Sequence, residues 1–269
     1  MVSLDPATNK NKIVWEKPTT SNIDKYIIYR ENVLEDDDSI GYQNYSGSNY
    51  FIDNTTSPEK KAESYRIGVI DVCGNKSALS DRITTMHLMI YPGPNQKWSL
   101  LWNQYDDANY YRIYRGTSPT NKVVFDSIAA YDDILLYTDI NSPSGSVFYA
   151  VEAVLDNNCG TSQGSMAGRA RSNNAFFSIE KVGLESIFSE NVSVYPNPTQ
   201  GKIAISTNQM ILNSNTKLSI INFVGEHIYS ELLSFEKTEI DLSNYPKGIY
   251  LLKLENDNHF LYHKVILEK

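Results

Sequence analysis

Tyr26-Ile27-Ile28-Tyr29-Arg30 and Tyr111-Arg112-Ile113-Tyr114-Arg115 are near copies of one another. Other pairs of segments match in the same order and at nearly the same separation. They are Lys12-Ile13-Val14-Trp15 with Ser99-Leu100-Leu101-Trp102, Phe51-Ile52-Asp53 with Tyr137-Thr138-Asp139, Tyr65-Arg66-Ile67-Gly68-Val69 with Tyr149-Ala150-Val151-Glu152-Ala153, and Cys73-Gly74 with Cys159-Gly160. Ordered matches at a nearly constant separation indicate a repeated structural unit, so the sequence predicts two copies of one module.

The repeated segments alternate in polarity with the period of a β-strand. Arg112 stands between Tyr111 and Ile113, so a strand directs the arginine to one face and the two apolar side chains to the other. By the repeat, Tyr26 and Ile28 are also predicted to face a core. Turn-forming stretches separate these short segments, and no stretch requires a helical period. The sequence therefore predicts an all-β fold built from β-sandwiches.

Each copy has an early Trp, then a Tyr-rich strand, then a second strand that begins with Tyr. The residues concerned are Trp15, Tyr26 and Tyr65 in the first copy and Trp102, Tyr111 and Tyr149 in the second. This pattern resembles the fibronectin type III domain, an immunoglobulin-like sandwich. We expect one such domain over residues 1–88 and another over 89–172, both Trp rings in their cores, and little flexible chain between the two.

Charge and hydropathy exclude several classes of partner. The formal net charge is −8, and Lys and Arg do not cluster in any stretch, so we expect no nucleic-acid partner. We also expect no transmembrane segment and a monomer. The chain starts without a secretory leader, so we expect it to be a fragment. Cys73 and Cys159 are predicted to be unpaired residues near loops, with an interdomain disulfide as the alternative.

The last third of the chain has a different character. Residues 173–190 mix small, polar and scattered apolar residues without a period, and we predict a linker there. Tyr195-Pro196-Asn197-Pro198 then ends a strand abruptly, because proline cannot donate a ladder hydrogen bond. A turn is predicted to close at Gly201. Further alternating segments follow, so residues 191–269 are predicted to form a small sandwich of about seven strands.

Four motifs in order give this region a family resemblance: Val194-Tyr195-Pro196-Asn197-Pro198 with Gly201, Ile221-Asn222-Phe223-Val224-Gly225-Glu226, Ile240-Asp241-Leu242 with Lys247-Gly248-Ile249-Tyr250, and Lys264 to Lys269. They resemble the type A sorting domain that ends proteins exported by the type IX secretion system of Bacteroidota. The resemblance implies a secreted or outer-membrane cell-surface protein, recognition by a translocon and removal of the domain by a sortase-like protease. Release or surface anchoring would follow.

The resemblance also names candidate residues. They are Tyr195, Pro196, Asn197, Pro198, Gly201, Gly225, Gly248, Tyr250, Lys264 and Lys269. The three glycines are expected to adopt backbone conformations with positive φ. Lys264 and Lys269 are expected to contact the export machinery. The alternative interpretation is that these residues only shape turns and a core, and both interpretations can hold together.

Catalytic motifs are missing from the sequence, so we expect a non-catalytic chain without a cofactor or a metal. His259 and His263 have the spacing of a helical metal site, but their surroundings predict a strand, which separates them. Two alternatives stay open. Acidic runs at 36–38, 106–107 and 132–133 are candidates for calcium. An aromatic patch of Tyr42, Tyr45 and Tyr50 is the candidate for an adhesive or glycan-binding surface.

Overall fold

A computed structural model describes residues 1–19, 22–32, 37–93, 97–130, 134–143, 146–155, 168–177, 192–208, 212, 215–256 and 259–268. Within these ranges every regular element is a β-strand, and the strands are numbered β1 to β22. None of the described residues belongs to a helix that could cross a membrane. The all-β prediction is confirmed: antiparallel sheets pair into tandem β-sandwiches.

The first seven strands form two sheets. The strands are β1 (Val2–Asp5), β2 (Lys10–Val14), β3 (Ile23–Arg30), β4 (Asp38–Asn44), β5 (Tyr50–Asp53), β6 (Ser64–Asp71) and β7 (Ile83–Thr84). One sheet has the order β1-β2-β5 and the other the order β4-β3-β6-β7. Tyr26 and Ile28 on β3 are buried, as the alternation predicted.

The second set repeats this arrangement. Its strands are β8 (Leu88–Pro92), β9 (Trp98–Asn103), β10 (Ala108–Gly116), β11 (Lys122–Ala129), β12 (Ile134–Asp139), β13 (Val147–Leu155), β14 (Arg169–Arg171) and β15 (Ala175–Phe177). The sheets have the orders β12-β9-β8 and β11-β10-β13-β14, and β15 also pairs with β13. Tyr111 and Ile113 on β10 are fully buried, which confirms the predicted register.

The C-terminal set has β16 (Val192–Tyr195), β17 (Lys202–Thr207), β18 (Lys217–Ile221), β19 (His227–Leu232), β20 (Lys237–Asp241), β21 (Gly248–Asn256) and β22 (His259–Leu267). They pair as β16-β17-β20 and as β19-β18-β21-β22. The prediction of about seven strands in this region is confirmed.

All three sets share one topology. In each, the first, second and fifth strands make a three-stranded sheet, and the fourth, third, sixth and seventh follow one another in the other sheet, which in the second set also contains β15. Each also has a register shift between its third and fourth strands, after Ile28, Ile113 and Ile220 respectively. A bulge at this place bends and twists an edge strand, which protects the sheet from pairing with another chain. The C-terminal set shares this architecture without sharing the repeat's sequence.

The strands divide into two compact units. One contains residues 1–88, 104–132 and 149–175, and the other contains residues 89–103, 133–148 and 176–269. The first seven strands therefore lie in the first unit and the C-terminal set in the second. The second set contributes strands to both.

In the first unit, side chains join the two repeats. The Tyr105 hydroxyl bonds both the backbone N–H and the carbonyl of Val2, each at 2.9 Å. Within the second set, the Asn173 amide makes a similar double contact with the backbone of Leu88, the first residue of β8, at 2.6 and 3.0 Å. Asn173 belongs to the segment predicted as a linker, whose residues 178–190 lie outside the described part of the chain.

The two matched tryptophans differ in burial. Trp102 is completely buried on β9. Trp15 lies beyond the end of β2 and is only half-buried, with its ring 5.1 Å from that of Tyr26. The expectation of a ring in the core is therefore confirmed for Trp102, whereas the Trp15 ring packs on Tyr26 with part of its surface exposed.

The second unit contains two apolar clusters. The larger one is the interior of the C-terminal sandwich, with Ile203, Leu218, Tyr250 and Leu252 among its buried members. The smaller one joins residues of β8 and β9 to residues of β18 and β21. The strand β9 has no exposed residue, so both of its faces are covered.

Candidate functional site

The segment after β16 stops the strand as predicted. Tyr195 is the last residue of β16, pairs with Ala204 and keeps 45% of its surface exposed. The peptide bonds Tyr195–Pro196 and Asn197–Pro198 are both cis. Since neither proline has an N–H, this segment cannot continue the backbone ladder of the three-stranded sheet.

Asn197 turns instead toward the last strand of the chain. Its Nδ2 donates to the carbonyl of Lys264 at 2.6 Å, and its Oδ1 accepts from the N–H of Ile266 at 2.9 Å. The strand β22 is at the edge of its sheet, where backbone groups lack a neighbouring strand. One amide side chain thus supplies the donor and the acceptor that a neighbouring strand would provide.

Thr199 continues the same contact with its backbone. Its N–H donates to the Ile266 carbonyl at 2.8 Å, and its carbonyl accepts from the N–H of Glu268 at 2.8 Å. It pairs with Leu267 in parallel orientation. Its buried hydroxyl donates to the Lys202 carbonyl at 2.7 Å. We call Asn197 and Thr199, with the backbone of residues 264–268, the clasp.

Sequence reasoning did not select Thr199. A threonine between Pro198 and Gly201 carries no pattern of its own, and its role depends on a strand far away in the sequence. The closest available indication was the segment Pro196-Asn197-Pro198, whose prolines cannot continue the backbone hydrogen bonds of a sheet. Such a run implies that the neighbouring polar groups need partners elsewhere.

Two glycines of the motifs meet specific backbone requirements. A Cβ on Gly201 would lie 2.2 Å from the Ser243 hydroxyl oxygen, and its φ is +154°. Gly225 has φ +88° in the turn between β18 and β19. The side chain of Asn222 organises that turn by accepting from the N–H groups of Val224 and Glu226. Only glycine enters such conformations without strain.

The other motif residues occupy separate places. Gly248, also at positive φ, begins β21 and pairs with Leu267. Tyr250 is a core residue whose hydroxyl donates to the Pro246 carbonyl at 2.7 Å, and burial raises its pKa.

Lys264 is half-buried on β22, opposite Leu251. Lys269 lies outside the described residues. The structure therefore brings Asn197 and Lys264 together but leaves Gly225 in a turn of its own.

The residues considered for metals have other roles. His263 bonds the backbone of Val192, and burial lowers its pKa in spite of that bond. Asp37 pairs with Arg66 and Arg82. Asp36 and residues 132–133 lie outside the described chain. Among the residues that the structure describes, His, Cys, Asp and Glu form no group that could hold a metal ion.

The three tyrosines considered for glycan binding do not share one sheet. Tyr42 is on β4 and is 62% exposed, whereas Tyr50 is on β5 in the other sheet. The Tyr45 hydroxyl donates to the Pro18 carbonyl. A lysine ammonium lies over each ring, at distances of 4.3 to 5.7 Å from the ring centres. Each of these rings thus has a cation over one of its faces.

Comparison with known families identifies the C-terminal set. Residues 193–268 match the family described as "Secretion system C-terminal sorting domain". These residues are a secretion-system C-terminal sorting domain. The match begins in β16 and ends one residue after β22, so it contains the entire clasp. A sorting domain of this kind directs a protein across the outer membrane to the cell surface or the medium.

The other comparisons concern curated proteins and solved structures. The search of curated proteins found no match. The chain is 13% identical to the crystal structure of the chicken CNTN1 FN1–FN3 domains, covering 96% of this chain and 94% of that one, with a TM-score of 0.24. It is 13% identical to a tetra-tandem repeat in the extending region of a large adhesion protein, covering 100% and 73%, with a TM-score of 0.26.

A third structure is the BSP domain of a biofilm-associated protein, at 7% identity and a TM-score of 0.28. The comparison covers 92% of this chain and 57% of that one. None of these TM-scores supports an argument about function. The sandwich architecture is established from the strand pairing of this chain itself.

Proposed function

We propose that this chain is the non-catalytic end of a protein that the type IX secretion system exports to the cell surface or the medium. The sorting domain at residues 193–268 carries the proposal. Its partners are the outer-membrane translocon and a sortase-like protease that removes it. We assign it to type A on its motifs.

The two repeats ahead of the sorting domain act as spacers in this proposal. Their limits are residues 1–88 and 89–172, followed by a connecting segment at 173–190 and the sorting domain at 191–269. The two hydrogen bonds between the Tyr105 hydroxyl and the backbone of Val2 support a stiff tandem, because they fix the repeats to each other. A stiff tandem holds an upstream region away from the surface better than a flexible chain of equal length.

The motif residues have three kinds of role in the proposal. Asn197, Gly201, Gly225, Gly248 and Tyr250 build the fold that the translocon recognises, which their hydrogen bonds and backbone conformations support. Lys264 and Lys269 contact the machinery. Tyr195, Pro196 and Pro198 complete the exposed turn before the clasp.

Export of a reporter tests the proposal. A periplasmic reporter with its own signal peptide is fused ahead of residues 1–269 and expressed in a bacterium that has the type IX system. A matched fusion ends at residue 190. We expect the first reporter at the surface or in the medium and the second in the periplasm. Equal export of both fusions would refute the sorting function of this chain.

A further inference from the structure

The second unit contains an apolar cluster that the interior of the sorting domain does not account for. Tyr91, Leu101, Ile221, Ile249 and Leu251 are its buried members. Partly buried apolar side chains surround them, namely Met89, Leu136, Phe223 and Tyr262. Four members belong to the strands β8, β9 and β12, and the other five to the sorting domain.

The strand alternation shows which face of the sorting domain is involved. On β21, Tyr250 and Leu252 belong to the interior of the sandwich. Ile249 and Leu251 alternate with them and therefore point to the outer face of the four-stranded sheet. This outer face is where an isolated sandwich presents polar residues to water. Leu251 is nevertheless 1% exposed.

The other side of the cluster has the same pattern. Leu101 on β9 lies opposite Leu136 on β12, and Trp102 lies opposite Leu135 in the alternate row. Leu101 is completely buried. The row that contains Leu101 and Leu136 packs on the sorting domain, which explains why β9 is covered on both faces.

The cluster contains two tyrosines, of which Tyr91 is buried and Tyr262 is partly buried. Burial raises the pKa of Tyr91 and of Tyr262 to about 12. The hydroxyl of Tyr91 has Ser99 on β9 as its hydrogen-bond partner. The contact is thus a closed, mainly apolar surface with a satisfied polar group, as in a stable interface.

We propose that this apolar contact holds the sorting domain on the β8–β9–β12 sheet, so that cleavage of the chain between residues 177 and 192 does not release it. The occupant of the outer face of the sorting domain is the preceding part of the same chain. A free sorting domain would expose Ile221, Ile249 and Leu251 together, a contiguous patch of the kind that marks an interaction site.

The proposal extends the assigned export function, because removal by a protease would then need two events. The peptide bond must be cut, and the apolar contact must open. A translocon or protease that binds the Ile249–Leu251 face would compete with the β9 sheet and so couple recognition to release. The contact itself does not depend on export, so the two proposals can fail separately.

Purified full-length protein with a specific protease site inserted between residues 178 and 191 provides the test. Complete cleavage is verified on a denaturing gel, and the fragments are then separated by size-exclusion chromatography at low micromolar concentration. We expect them to elute together as one species. Separate elution of the wild-type fragments would overturn the proposal.

Matched variants identify the contact. Leu251→Gln buries an amide in the cluster and should raise the dissociation constant of the cleaved fragments at least about tenfold. Leu232→Gln makes the same change at a 61% exposed position of the same sheet and should leave the constant unchanged. Leu136→Gln repeats the test from the β12 side without altering the sorting domain.

Circular dichroism and cooperative unfolding of each uncleaved variant separate loss of the contact from loss of the fold. A folded Leu251→Gln variant whose fragments stay together as tightly as the wild type would overturn the proposal. If Leu251→Gln fails to fold, the cleaved fragments of Leu136→Gln are measured instead, and fragments that stay together as tightly as the wild type would overturn the proposal.

Discussion

The side-chain nitrogen of Asn197 lies 2.6 Å from the carbonyl oxygen of Lys264, although 67 residues separate the two in sequence. The first turn of the sorting domain is thereby fastened to its last strand. An edge strand such as β22 is prone to pairing with other chains. The Asn197 side chain provides hydrogen-bond partners for the edge of β22, where no neighbouring strand of the described chain lies. It does so in a turn whose two prolines have no N–H groups to donate.

Replacing Asn197 should therefore weaken the sorting domain. Asn197→Ala removes both hydrogen bonds and leaves exposed backbone groups of β22 to water, at a cost of about 0.5–1.5 kcal/mol for each bond. Asn197→Asp keeps the acceptor for Ile266 but directs a carboxylate at the Lys264 carbonyl, so it should also destabilise. Urea unfolding measures both, with Ser193→Ala, an exposed position on β16, as control. An unchanged urea midpoint for Asn197→Ala would show that the clasp does not stabilise the sorting domain.

Gly201 is expected to tolerate no side chain. In Gly201→Ala the new Cβ would lie 2.2 Å from the hydroxyl oxygen of Ser243 and would occupy a strained conformation. Strain of this kind costs about 1–3 kcal/mol. Ser243→Ala removes the hydroxyl and should restore part of the lost stability, which a double-mutant cycle measures. Full tolerance of Gly201→Ala alone would contradict the close approach.

The matched tryptophans should respond differently to truncation. Trp102 is fully buried, so Trp102→Ala should cost about 3–5 kcal/mol. Trp15 is half-buried, so Trp15→Ala should cost clearly less. Chemical denaturation of the two full-length variants gives the comparison. Equal losses would mean that the exposure of Trp15 does not decide its contribution.

Alkaline pH should loosen the contact around β9. The pKa of Tyr262 is raised by burial to about 12, and that of an exposed tyrosine is about 10. Folding favours the neutral phenol, so this contribution is complete below pH about 10 and is lost as the pH rises toward about 12. Unfolding free energies measured across this window should fall. The unfolding free energy of Tyr262→Phe should fall less steeply with pH. A slope identical to that of the wild type would contradict the burial of the phenol.

Several features were predictable from single segments. The alternation around Tyr111 and Ile113 set the register of β10, because a strand has a fixed period of two. The prolines of Tyr195-Pro196-Asn197-Pro198 predicted the end of β16, because proline lacks the donor that a ladder needs. Both arguments use only the geometry of the residues themselves.

Other features depended on residues far apart in sequence. The partner of Thr199 is β22, and nothing next to Thr199 indicates it. The third sandwich has the same topology as the two repeats but does not share their sequence, so comparing the segments could not show this relationship. Nothing next to Ile249 and Leu251 in the sequence indicates which element covers the outer face of β21. Long-range packing of this kind is set by complementary surfaces rather than by local period.

Removal of the last six residues should destroy the sorting domain rather than merely its contact with the export machinery. The deletion takes away Val265 and Leu267, whose side chains are 0% and 2% exposed in the core. Each loss of that size costs about 2–5 kcal/mol. A whole domain has only about 5–15 kcal/mol of stability, so the truncated domain should unfold.

The point variant Lys264→Ala separates folding from recognition where the deletion cannot. The clasp uses only the backbone carbonyl of Lys264, and the side chain is half-buried on the surface of β22, so the variant should keep the wild-type unfolding midpoint. If Lys264 contacts the translocon, export of the reporter fusion should fall while the midpoint holds. The truncated fusion should lose both. Normal export of Lys264→Ala would exclude this side chain from recognition, and normal export of the truncated fusion would show that the translocon does not require the last strand to be complete.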